Sequence, residues 1–64
     1  MVHIVYCVEY DVKERTRIAH KKVHVSAISR KDAEKIVIFR HEQYYHDIED
    51  KAPPKMYNII VKEA

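Results

Sequence analysis

The chain runs for 64 residues without a single glycine, where average usage of about 7% would supply four or five. Glycine adopts positive φ at the least cost, so its absence disfavours tight two-residue hairpins and points to longer connections. It also excludes the phosphate-cradling loops of P-loop and dinucleotide-binding proteins, where glycine lets the backbone approach a phosphate.

Between such connections the chain reads mainly as strand. From Val2 to Val12 the even positions Val2, Ile4, Tyr6, Val8, Tyr10 and Val12 are all apolar or aromatic, the period-2 pattern of a strand with one buried face. The odd positions are His3, Val5, Cys7, Glu9 and Asp11. Asp11 to Thr16 is polar and suits a hairpin loop of about four residues. A second strand, Arg17 to Ala27, puts Ala19, Lys21, Val23, Val25 and Ala27 on one face and His20, Lys22, His24 and Ser26 on the other. A turn around Lys13 and Glu14 would set Ile4 against Val23 and Val2 against Val25 inside. On the outer side it would set Cys7 against His20 and His3 against His24.

Ile28 to Tyr45 is the one clear helical segment. Ser29 is placed to accept from the backbone N–H three residues on, Asp32 to reach back to the N–H of Ser29, and Ile28 to staple onto Ala33. At 100° per residue, Ala33, Ile36, Val37, Arg40 and Tyr44 share the sheet-facing side, with Phe39 at its margin. Ile38 and Tyr45 fall together elsewhere, which marks either a frayed or rotated helix end or a small exposed apolar stripe. Pro53-Pro54 forbids helix and returns the chain extended to the sheet. There Met56 to Lys62 forms a last strand, with Tyr57, Ile59 and Val61 inward and Met56, Asn58, Ile60 and Lys62 outward.

These elements predict one α+β domain over residues 1–64, in the order β-β-α-β. Its three-stranded antiparallel sheet has the spatial order 2-1-3, with the helix on one face. A domain of this size buries only about 60% of the surface its unfolded chain exposes. The uncovered sheet face would carry Val5, Cys7, Met56 and Ile60 among His3, His20, Lys22 and His24, leaving an apolar set in water. Together with Ile38 and Tyr45 these residues are the candidate protein interface, serving a protein partner or self-association.

Twelve Lys and Arg against ten Asp and Glu give a net charge of +2, too small to imply nucleic acid by itself. The cations nevertheless cluster. Lys13, Arg15, Arg17, Lys21 and Lys22 make a basic hairpin, and with Arg30 and Lys31 at the helix start they form an alternative, nucleic-acid-binding surface. Against that alternative, the alternation sends Tyr6, Tyr10 and Tyr57 inward and leaves no aromatic platform for bases.

Cys7 is the only cysteine, so an intramolecular disulfide cannot form, and a reducing, cytoplasmic location fits. No signal-peptide pattern or apolar run long enough to span a membrane is present. His41-Glu42 opens a zincin-like pattern, but Tyr45 stands where the second histidine belongs. Cys7 and His20, even if opposed, supply only two ligands and no pocket or oxyanion stabiliser. No catalytic residues, metal or cofactor are expected.

The segment VHVSAISRKDAEKIV, a strand entering a capped helix through V-x-A-x-S-x-x-D-A, resembles one that recurs in very short virus-encoded proteins. Flanked by strands, it is similar in order and length to the small phage inhibitors of host bacterial RNA polymerase. The resemblance implies a phage or viral protein that modulates a larger host protein by occupying it, in the cytoplasm of the host cell. This chain is basic where such an inhibitor uses acidic surface, so the target does not carry over.

Overall fold

The computed structural model describes residues 2–64, in the order β1 (Ile4–Glu14), β2 (Arg17–Ala27), α1 (Arg30–Asp47) and β3 (Met56–Glu63). β1 is the middle strand of an open sheet ordered β2-β1-β3, and both neighbours run antiparallel to it. The expected β-β-α-β fold is thus present. Tyr6, Val8, Tyr10 and Val12 point from β1 into the core, joined by Val25 and Ala27 of β2 and by Ala33 and Val37 of α1. Val8 and Ala33 are fully enclosed, and the small side chain of Ala33 lets the helix lie close to the sheet.

The hairpin differs from the sequence expectation. β1 continues to Glu14, which pairs with Arg17, so Arg15 and Thr16 alone form the turn. Arg15 adopts φ 55°, a conformation that costs a non-glycine residue about 1 kcal/mol. Three ladder pairs, Val12 with Ala19, Lys13 with Ile18 and Glu14 with Arg17, accompany the shorter turn. The register moves accordingly: Ile4 lies opposite Ala27, Val8 opposite Val23, Cys7 opposite His24 and Asp11 opposite His20. The shift is even, so the side chains paired within the hairpin keep their expected faces while changing partners. Val2, expected inside against Val25, precedes β1 and is exposed.

β3 departs in a different way. Glu9 pairs with Ile60 but Asp11 with Tyr57, so Tyr10 faces two residues of β3, Asn58 and Ile59. This is a β-bulge, and Asn58 at φ 50° occupies it in place of glycine. The bulge reverses the alternation. Met56, paired with Val12, packs against the core, whereas Tyr57, paired with Asp11, lies on the open face. Both lie on the face opposite to the one that simple alternation along β3 predicts.

The helix is capped largely as expected. Ser29 Oγ accepts from Asp32 N–H at 3.1 Å, while Asp32 Oδ2 accepts from the N–H of Ile28 at 3.3 Å rather than from that of Ser29. Its buried row is Ala33, Val37 and His41, rotated from the expected face so that Arg40 and Tyr44 are exposed. Ile38 and Tyr45 are half-buried, as a rotated helix face rather than an exposed stripe leaves them. His41 Nε2 donates to the carbonyl of Pro54 at 2.8 Å, fixing the connection that follows the helix. That bond supplies the partner which its burial requires.

The molecule is a flat slab of 39 × 22 × 13 Å. Its radius of gyration, 12.3 Å, exceeds the value of about 10.7 Å for a compact domain of this length. Its accessible surface, 4979 Å², likewise exceeds the value of about 4,300 Å² for a monomer of this mass.

Two substitutions probe this arrangement by urea denaturation. Val8→Ala should lower stability by about 2 kcal/mol through loss of buried methyl groups. Arg15→Gly should raise it by roughly 0.5 kcal/mol by relieving the positive φ; a decrease would mean that the Arg15 side chain stabilises the turn.

Candidate functional site

Two surfaces on opposite sides of the sheet carry most of the exposed chemistry. On the open face, the odd positions of β1 meet the even positions of β2 and the outer positions of β3. At its centre lies a hydrogen-bonded network. His20 Nδ1 lies 2.8 Å from Asp11 Oδ1, and its Nε2 lies 3.3 Å from Glu9 Oε1. Lys62 Nζ reaches Glu9 Oε2 at 3.0 Å, and Asn58 Nδ2 donates to Asp11 Oδ2 at 3.0 Å. The bulge that exchanges Met56 and Tyr57 thus also places the Asn58 amide on Asp11.

The charges reinforce one another. Hydrogen bonds from Lys62, then His20, hold the Glu9 carboxyl below its ordinary range, and those from Asn58, then His20, do the same for Asp11. Asp11 first, and Glu9 second, push the His20 imidazole above its ordinary value. The Glu9 carboxylate likewise raises Lys62. With His20 protonated, each ring nitrogen donates to a carboxylate and the two acids of β1 are bridged.

Apolar residues surround this network. Val5 is 50% exposed and Ile60 is 54% exposed, with Ile18 and Tyr57 also open to solvent. Cys7 shares the face but is only 5% exposed. It stands between His24 of β2 and Lys62 of β3, so the expected Cys7–His20 juxtaposition does not occur. Of the six candidate interface residues, Val5 and Ile60 are therefore exposed there, Cys7 lies beneath the surface, and Met56 belongs to the core side. Ile38 and Tyr45 sit on the helix, across the sheet.

The second surface is a groove of about 840 Å³ between the turn end of the hairpin, the second half of α1 and the connection to β3. Arg15, Arg17 and Lys21 of the candidate basic set line it, joined by Arg40 and Lys51. Lys13 lines its rim at the turn end, although its pairing with Ile18 places it in the open-face row of β1. The rest of that set lies elsewhere. Lys22 shares the open face with His20 and His24, paired with Glu9. Arg30 and Lys31 stand beyond the far end of β2, whose ten residue steps separate them from the turn by roughly 33 Å.

Aromatic rings run along the groove. Tyr10 meets His41 edge to face at 6.1 Å, His41 meets Tyr45 at 5.0 Å, and Tyr45 meets Tyr44 at 5.2 Å. Lys51 Nζ lies 5.8 Å from the centre of the Tyr45 ring. Burial first, and the nearby Glu14 carboxylate second, raise the Tyr45 phenol above its ordinary value. Sequence reasoning missed Arg40, Tyr44 and Lys51 because they come from a helix and a loop far along the chain from the hairpin.

Among the described residues no group of three or more His, Cys, Asp or Glu side chains is placed to hold a metal ion. No helix among them is long and apolar enough to cross a membrane. No family model matches the chain, and no curated protein or solved structure matches it.

The network sets a pH dependence. The raised His20 contributes stability that is full below the ordinary histidine value of 6.5 and is lost as pH rises through its higher folded value. The lowered Glu9 and Asp11 contribute stability present above their ordinary values of 4.5 and 3.8 and lost as pH falls through their lower folded ones. Thermal melting should therefore peak between these limits, and His20→Gln should flatten the alkaline limb. An unchanged alkaline limb in that variant would show that the bridge contributes no stability.

Proposed function

We propose that the chain is a non-enzymatic binding module whose open sheet face is covered by a protein partner. The observation that carries this reading is the exposed apolar set Val5, Ile18, Tyr57 and Ile60 on one face of a slab whose surface exceeds that of a compact monomer. A partner of standard size would cover about 800 Å² of this side, comparable with the excess. The paired charges of Glu9, Asp11, His20 and Lys62 would give such a contact orientation, since mismatched charges are costly across an interface.

Catalysis is a weaker reading. Cys7, the one thiol nucleophile, is buried and faces His24 and Lys62 across the neighbouring strands. A single free cysteine suits the reducing cytoplasm. The phage-inhibitor resemblance makes a host protein the first partner to seek, with a second copy of the chain as the competing occupant of the same face.

The test uses paired baits. Tagged wild type and Ile60→Lys should fold with stabilities within about 0.5 kcal/mol of each other, as befits an exposed position. Wild type should retain one stoichiometric protein from host lysate, or form dimers in sedimentation, and the variant should lose it. Identical retention and identical sedimentation by both baits would remove the open face as the interface.

A further inference from the structure

We infer that the groove on the helix side of the hairpin binds a single-stranded segment of nucleic acid. This site lies across the sheet from the open face and stands independently of the protein-binding reading. Six of the chain's twelve Lys and Arg line it, and none of the six forms a salt bridge among the described residues. Two carboxylates, Glu14 and Glu49, also line the groove and offset part of that charge, leaving six cations against two anions, a formal +4; Glu49 accepts from the Tyr44 hydroxyl at 3.4 Å. The groove therefore concentrates a positive charge far larger in proportion than the whole chain's +2, which suits a phosphodiester backbone.

The aromatic component favours a single strand over a duplex. Tyr44 is 51% exposed at the groove, and rings stack only on bases that are free of their own helix. The sequence placed no aromatic beside the basic hairpin. Helix α1 supplies one because its rotation buries His41 and leaves Arg40 and Tyr44 facing out. Arg17 and Lys21 project on this same side of β2, whereas Lys22 projects on the other.

That last pair gives a matched test, since Lys21→Glu and Lys22→Glu change the charge identically at adjacent exposed positions. The probe is a fluorescein-labelled twelve-nucleotide oligothymidylate, and binding is read by anisotropy in 50 mM salt. Lys21→Glu should weaken binding at least tenfold, Tyr44→Ala at least fivefold through lost stacking, and Lys22→Glu less than twofold. With about four phosphates neutralised, raising salt from 50 to 200 mM should cut wild-type affinity about 50-fold. The inference fails if binding does not saturate, or if Lys22→Glu costs as much as Lys21→Glu. It fails equally if a duplex of the same length, or a mononucleotide, binds as tightly as the oligomer.

Discussion

Burial of one side of the central strand is the interaction on which the rest of the structure depends. Both neighbouring strands pair with β1, and Tyr6, Val8, Tyr10 and Val12 form the floor against which Ala33 and Val37 of the helix pack. Because strand side chains alternate, committing the even positions inward commits Val5, Cys7, Glu9 and Asp11 to the other face. Two carboxylates two residues apart are thereby set on the middle strand, flanked by strands on both sides. His20 from one neighbour and Lys62 and Asn58 from the other compensate them.

The absence of glycine shapes how the chain changes direction. Arg15, Asp50 and Asn58 take the positive-φ positions at the hairpin turn, in the helix-to-strand connection and at the bulge. Asn and Asp tolerate this region better than most residues, because their short polar side chains bond locally. At Asn58 that side chain reaches Asp11, so the residue that permits the bulge also contributes to the network on the open face.

The same thin fold keeps its two candidate surfaces apart. A single sheet layer lies between the open face and the groove, and the slab is only 13 Å along its shortest axis. One face combines scattered apolar residues with paired charges; the other gathers cations, without ion pairs among the described residues, beside tyrosines. The alternation along β2 divides consecutive lysines, Lys21 and Lys22, between the two.

The element order, the extent of β2, the Ser29 cap and the inward set of β1 from Ile4 to Val12 were legible in the sequence, because alternation, helical spacing and cap chemistry are local. Only the tertiary structure decided the register, since a shift by an even number of residues preserves every face and leaves no trace in periodicity. For the same reason the partner of Cys7 proved to be His24 and that of His20 proved to be Asp11. The bulge was equally hidden: nothing local to Met56 and Tyr57 indicates that one extra residue must be accommodated opposite Tyr10. Helix rotation was set by the bond of His41 to Pro54 and by packing on the sheet, which spacing alone does not encode. The sequence by itself determined the order of the elements, their extents to within about two residues and, within the hairpin strands, which face the paired residues take; the assembly of Lys21, Arg40, Tyr44 and Lys51 into one groove required the packed fold, because it joins segments that only tertiary contacts bring together.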